Sequence, residues 1–271
     1  MVSSVVASAD SPEHDNATSV AAVLTLAKGL RILEAVGERP QGTSLAELAR
    51  ELPFNKSTLF RFLSTLEQAG YVDPIGATDR FRLGTRVLRL AGEMLEALPI
   101  REVASPYLVD LMLRTGETAQ LSILDEAEIV YIDKVDTAER LRLHSWVGQR
   151  MRAHCTAAGK SILAHLQERD LQRVLKHGLP SRTRNTITSE DELRKELTEI
   201  RARAYAIDNE EETTEIRCVG AAAFGFDRSV VGAISVSGPT GRMSIEAAHR
   251  IAPMVIAAAQ EVSSRLGYRR L

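Results

Sequence analysis

The stretch SLAELARELPFNKSTLFRFLSTLEQAG, Ser44 to Gly70, decides how the amino-terminal third of the chain folds. Ser44 and Glu47 have the spacing of a capping box: the Ser side chain caps the amide three residues on, and the Glu reaches back. They open a short helix to about Leu52. Pro53 breaks it. Asn55 caps a further helix that runs to Gln68 and closes at Gly70. At 100° per residue, Leu59, Phe62, Leu63 and Leu66 share one face of this helix. Ser57, Arg61, Ser64 and Gln68 take the opposite face. Lys56 and Phe60 lie on its flank, and Thr58 sits near the amino end.

The flanks extend the pattern. Leu26, Leu30, Leu33 and Val36 recur at helical spacing from Thr25 to Arg39, and Pro40 and Gly42 end that helix. Tyr71 to Leu83 reads as a hairpin with its loop at Gly76 to Asp79. Alternation points Phe81 and Leu83 inward and Arg80 and Arg82 outward. Three helices and a hairpin within residues 23–84 predict a winged helix-turn-helix. Short hydroxyls and one Arg near the helix start suit insertion into a major groove, where Arg61 can offer a bidentate fork to guanine. Thr58 and the helix amides can hold a phosphate, and the wing arginines can reach a neighbouring backbone. With Ser44 at the start of the preceding helix, the expected DNA-contacting set is Ser44, Lys56, Ser57, Thr58, Phe60, Arg61, Ser64, Arg80 and Arg82. A bland solvated face is the competing reading. Charge favours the first: Thr25 to Leu90 holds ten basic and seven acidic residues, within a chain of net charge -2. A polyanion partner therefore fits this part alone.

Residues 1–22 lack periodicity and read as a mobile tail. Residues 85–99 read as a linker helix ended by Pro99. Its apolar stripe (Val87, Leu88, Leu90, Ala91, Met94, Leu95, Leu98) is wider than one winged domain needs. A two-fold dimer on a palindromic operator is the implied assembly. Residues 100–271 alternate strands and helices irregularly. Helices are expected at Val103–Arg114, Thr156–Gln167, Glu190–Ala202 and Ser244–Leu266. Strands are expected at Gln120–Leu124, Ile129–Val135, Leu141–Val147, Val219–Phe226 and Val230–Ser237. That order predicts an α+β domain on an antiparallel sheet.

Two cysteines, Cys155 and Cys218, are too few for a disulfide framework, and no run of about 18 apolar residues exists. The apolar stretch from Ser19 follows Asp10, Glu13 and Asp15, which is the wrong charge for a secretory signal. A cytoplasmic protein without membrane contact is expected. The sequence HCTAAGKS, His154 to Ser161, is not a phosphate loop, because His154 stands where the first Gly of that motif belongs. Thr156 can cap a helix whose first residues, Ala157, Ala158 and Gly159, leave amides open to a carboxylate. Tight packing of small residues explains the same sequence equally well. Ser235 and Ser237 alternate with Ile234 and Val236 and share one strand face, toward a cavity or toward solvent. Trp146 and Met151 can supply an apolar wall or simply pack in the core. Glu210–Glu212 reads as a solvated loop. Two enzyme-like alternatives are poorly supported. A cysteine hydrolase would need Cys155 or Cys218 beside a His, but adjacent His154 and Cys155 diverge. A zinc site from His154, Cys155, Asp208 and Cys218 lacks any paired ligand spacing. No enzyme activity, metal or cofactor is expected.

Several segments together carry a resemblance. They are TLAKGLRILEAVGERPQGTSLAELARELPFNKSTLFRFLSTLEQAGYV, RFRLGTRVLRLAG, LRLHSWVGQRMRAHCTAAGKSILA, YAIDNEEETTEIRCVGAAAF and VVGAISVSGPTGRM. In this order they resemble the IclR family of bacterial transcription regulators over nearly the whole chain after the tail. The resemblance implies a winged DNA-binding domain, a linker helix and a GAF-like effector domain in a homodimer or homotetramer. It implies double-stranded operator DNA and a small organic acid, aromatic in some members, as partners. It places Asp208, Cys218, Ser235 and Ser237 around the effector pocket, beside the Thr156–Gly159 segment. The chain departs from the family pattern at Ala204 and Glu215, where Gly is frequent, and at Ala222, where Pro is common.

Overall fold

A computed structural model of the protein describes residues 23–76, 78–139 and 145–269. Contacts divide the chain into two units, one ending at Ala91 and the other beginning at Gly92. The tail before residue 23 and most of the strand expected at Leu141–Val147 lie outside the described residues.

The first unit holds α1 (Leu24–Gly37), β1 (Thr43–Ser44), α2 (Leu45–Glu51), α3 (Lys56–Gln68), β2 (Val72–Pro74) and β3 (Arg80–Leu83). The capping box forms as the spacing predicts: Glu47 N donates to Ser44 Oγ and Ser44 N donates to Glu47 Oε2. Asn55 caps α3 by accepting from Thr58 N at 2.8 Å. Ile32, Val36, Leu48, Leu59, Leu63 and Val72 close a core beneath them, with Phe62, Leu66 and Phe81 partly buried against it. Each fully buried leucine there contributes roughly 1.5–3 kcal/mol. Three strands pair in the order β1-β3-β2, so the hairpin is tied back to the start of α2. Helix α1 departs from the expected stripe. Leu26 and Leu30 are exposed; Val36 and Leu33 meet the core as expected, and Ile32 and Ala35 join them there. Leu83, expected inward, is also exposed.

Helix α4 (Thr85–Glu96) has no buried residue; Leu88 and Met94 stand in solvent. Pro99 does not simply end this helix. It takes the first turn of α5 (Pro99–Thr115), where its missing N–H has no intrahelical acceptor to lose.

The second unit is a six-stranded antiparallel sheet, ordered β6-β5-β4-β9-β8-β7. Its strands are β4 (Thr118–Asp125), β5 (Glu128–Val135), β6 (Arg150–Arg152), β7 (Ala206–Asn209), β8 (Ile216–Phe224) and β9 (Val230–Pro239). The sheet's alternation feeds two cores. Leu121, Val219, Ile234 and Val236 meet α5 and α9 (Ile245–Arg265). Ile129, Tyr131 and Ala233 meet α6 (Ala157–Leu163), α7 (Glu168–Leu175) and α8 (Glu190–Arg203) on the other side. Strands β6 and β7 and helix α7 are additions to the expected elements; the two strands are too short to leave a periodic signal, whereas α7 carries one in Leu171, Val174 and Leu175. Residues 145–147 are not a strand.

Candidate functional site

Two regions carry chemistry, one in each unit. On α3 the side facing away from the core is exposed at Lys56, Ser57, Phe60 and Arg61, and half-buried at Thr58 and Ser64. Phe60 is 61% exposed, which places it outside the core. Ser57 Oγ donates to Asn55 Oδ1 at 2.8 Å, which holds this hydroxyl at the helix entrance. Among the described residues neither Lys56 nor Arg61 enters an ion pair, so both charges face outward uncompensated. Arg82 on the wing is exposed beside Asp73 of the paired strand.

Two members of the expected DNA-contacting set are spent inside the domain. Ser44 is 7% exposed, and its hydroxyl is the α2 cap. Arg80 donates to Glu47 Oε1 and Oε2 at 3.3 and 3.1 Å and to Gly42 O at 2.7 Å. A guanidinium so held braces the wing against α2 and is not free for a phosphate. Strand alternation misleads here because β1 and α2 pack beside β3, so the outward side of Arg80 is occupied.

In the second unit, β7, β8, β9 and β4 bring their polar residues into register. Asp208 lies opposite Cys218, Cys218 opposite Ser237, and Ser235 opposite Gly220 and Gln120. Opposed residues share a face, and this face looks toward α6, not toward solvent. Ser235 and Ser237 are each 2% exposed. Ser237 Oγ donates to Gln120 Oε1 at 2.9 Å, and Gln120 Nε2 donates to Ser145 Oγ at 2.9 Å. Thr156 caps α6 by accepting from Gly159 N at 3.2 Å. Gly159 therefore has no open amide. A Cβ there would lie 2.2 Å from Ala153 O, so its small size serves packing. The same holds across the contact: a Cβ on Gly220 would meet Ala157 C at 2.7 Å. Ala157 and Ala158 keep amides without an intrahelical acceptor. A cavity forms where these groups converge, lined by Thr156, Ala157, Ala158, Asp208, Cys218, Ser235 and Ser237, with Tyr131, Met151 and Glu212. Trp146 is 53% exposed and does not line it.

The largest departure from the sequence reading is Glu210–Glu212. Glu211 and Glu212 are buried. Glu211 accepts a hydrogen bond from Lys160 Nζ, a lysine 1% exposed, and Glu196 stands 3.7 Å from the same ammonium. Glu212 accepts from Cys155 Sγ at 2.7 Å and from Arg182 Nε at 3.1 Å. Asp208 Oδ1 accepts from Glu211 N at 2.7 Å. Burial, reinforced by Glu211, pushes the Asp208 carboxyl up to about 7. Burial also raises Glu211, against the pull of Lys160. The only sequence signal for Lys160 was its place in the Gly-Lys-Ser run, which points to phosphate loops.

This geometry disfavours both alternative chemistries. Burial and the Glu212 hydrogen bond raise the Cys155 thiol, and burial raises Cys218, so neither is held as a thiolate. His154 turns its Nε2 to Pro180 O at 3.2 Å. Among the described residues no three His, Cys, Asp or Glu side chains gather in a metal-holding arrangement.

Comparison with known proteins decides the family. Residues 25–74 match the IclR helix-turn-helix domain, and residues 92–264 match the bacterial transcriptional regulator IclR C-terminal domain. The chain belongs to the IclR family of transcriptional regulators. It is a DNA-binding regulator and not an enzyme. It is 31% identical to the transcriptional repressor IclR of Escherichia coli K12 over 262 residues, 96% of each chain. It is 35% identical to the IclR of Thermotoga maritima, whose crystal structure superposes with a TM-score of 0.76, covering 91% of this chain and 100% of that one. An IclR homologue from Microbacterium hydrocarbonoxydans, solved with 4-hydroxybenzoate, shares the fold at 23% identity and a TM-score of 0.77, covering 89% and 98%. Among the described residues no helix is long and apolar enough to cross a membrane.

Proposed function

We propose that this IclR-family chain is a ligand-responsive repressor of a palindromic operator, acting as a homodimer or homotetramer and binding a small organic acid in the Asp208–Ser237 cavity. The observation that carries the reading is the convergence of the Ser235 hydroxyl, two helix amides and Asp208 on one enclosed space, with the Ser237 hydroxyl beside them held by Gln120. Hydrogen bonds to a charged ligand group are worth roughly 1.5–3 kcal/mol each. A carboxylate beside Asp208 and Glu212 is repelled unless one partner is neutral. Asp208, with its carboxyl near 7, supplies that neutral partner and donates a hydrogen bond to the ligand. The cavity has room for only about one water-sized body, so its lining must shift to admit a ligand. Acids of few carbons fit this better than aromatic ones.

On DNA, Arg61 reads a base, Ser57, Thr58 and Ser64 approach the groove, and Lys56 and Arg82 hold phosphates. The exposed apolar residues of α1 and α4, Leu26, Leu30 and Leu88, support a partner subunit. The test pairs calorimetry on a panel of small organic acids with an operator gel shift. Ser235→Ala with Ser237→Ala should weaken the acid by ten-fold or more and leave DNA binding intact. Unchanged affinity in a folded variant removes these serines from the site. A monomeric mass by light scattering at micromolar concentration refutes the assembly.

A further inference from the structure

We propose that a second cavity, at the other end of β8, binds a flat organic anion of the aromatic carboxylate class through Arg201 and Arg228. This goes beyond the effector reading and does not depend on it. Strand β7 pairs with β8 only as far as Ala206 opposite Gly220, yet β8 continues to Phe224. The edge beyond Gly220 is thus uncovered by any strand. The chain enters β7 through the left-handed Ala204, and the last turns of α9 close the space from the other side. The result is a cavity of about 500 Å³, in the size range of pockets that hold small organic ligands.

Its chemistry is one-sided. Arg201, Arg228 and His165 line it, and no Asp or Glu is among its lining residues. The Arg201 guanidinium donates to Ala164 O and Thr198 Oγ1, both at 2.9 Å and both neutral. Those bonds fix its orientation without cancelling its charge. Arg228, in the tight turn between β8 and β9 at φ 67°, enters no ion pair among the described residues. Burial and the nearby Arg201 lower the His165 pKa, so the arginines supply the charge.

The remaining wall suits a flat body. Phe224 stacks on Tyr268 with ring centroids 5.1 Å apart, and His165 meets Phe224 edge-on at 4.9 Å. Ala221 and Ala259 leave room beside them. Guanidinium groups recognise a carboxylate with directed hydrogen bonds, and aromatic edges recognise a ring. A bare inorganic anion would satisfy the charges and leave the apolar wall empty.

The experiment uses the full chain carrying Ser235→Ala and Ser237→Ala, so that the effector cavity does not contribute. Calorimetry with benzoate should show one binding site per chain. Adding Arg201→Gln, or Arg228→Asn, which tolerates the left-handed backbone, should weaken benzoate by about ten-fold or more. Benzamide, the neutral analogue, and inorganic phosphate should each bind at least ten-fold more weakly than benzoate. No benzoate binding in the serine background overturns the proposal. So does an unchanged affinity in both arginine variants with native circular dichroism, or equal binding of benzamide and benzoate.

Discussion

Helix α3 and the effector cavity solve opposite problems. On α3 the functional groups face outward with their charges uncompensated, held only by an amphipathic helix and its Asn55 cap. Beside the cavity the buried charges have partners, as Lys160 has Glu211 and Glu212 has the more exposed Arg182. A surface that meets polyanionic DNA keeps its charge available at little folding cost. A cavity inside a sheet must neutralise its charges before a ligand arrives, because an unpaired ion in low dielectric is expensive. The first region therefore tolerates substitution in stability and loses binding. In the second, the buried charge pairs carry stability, while the strand hydroxyls and Asp208 carry ligand binding.

The sharpest break in that comparison comes from the buried pair. Glu211→Ala leaves the Lys160 ammonium facing Glu196 alone, and loss of one buried partner costs about 3–5 kcal/mol. Thermal denaturation should show the loss, and Lys160→Met combined with Glu211→Leu should recover most of it. A single variant as stable as the parent would mean that the pair is solvated in solution.

On α3 the expected effect is on binding. Arg61→Ala should cost roughly 1–3 kcal/mol on the operator and relax preference at one position per half-site, with the melting temperature unmoved. Arg82→Ala should weaken operator and random DNA alike and lower the salt slope by about one. Arg80→Ala should behave like a cavity residue, destabilising the wing through its lost bonds to Glu47 and Gly42. Titrations at several salt concentrations separate the three. Equal loss on operator and random DNA for Arg61→Ala would end its role as a base reader.

Asp208 links the cavity to pH. Its carboxyl lies near 7 in the folded protein, against an ordinary value of 3.8. Between these values the folded state holds a proton that the unfolded state releases, so stability falls as pH rises through that window. Ligand affinity should fall in the same direction above pH 7, as Asp208 loses the proton that makes its hydrogen bond to the ligand. Asp208→Asn, measured by calorimetry from pH 6 to 8.5, should flatten the affinity profile. A profile equally steep in the variant would place the titration elsewhere.

The contrast also explains what could be read from sequence. Local patterns record helices and caps, so the capping box at Ser44, the Asn55 cap and the buried face of α3 were legible from spacing alone. Arg80 was misread because its partner Glu47 is 33 residues away, beyond any local period. The cavity is built from β5, β6, β7, β8, β9 and α6, and only register across strands brings Asp208, Cys218 and Ser237 into one row. Ser235 and Ser237 announced a shared face but not whether it was wet. Glu211 and Lys160 each resemble an ordinary surface residue, and their burial follows from a pairing across 51 positions.

The smallest effect tests how the second unit accommodates its departures from the family pattern. Ala204 and Glu215, where the resemblance leads one to expect Gly, both adopt the left-handed conformation, with φ 66° and 62°. Both turns carry a side chain in a conformation that favours Gly. At Ala204 the reason is plain: it caps α8, where the amide of a left-handed residue donates back to Ile200 O at 2.7 Å, and a different φ would forfeit that bond. A Cβ in this conformation costs roughly 1–2 kcal/mol, and part of the gain on removing it is offset by the greater freedom of Gly in the unfolded chain. Ala204→Gly should therefore stabilise the protein by a few tenths to about 1 kcal/mol. Denaturant unfolding should show a higher midpoint at an unchanged slope. A lower midpoint would mean that the Cβ of Ala204, which lines the Arg201–Arg228 cavity, contributes more by packing there than it costs in the turn.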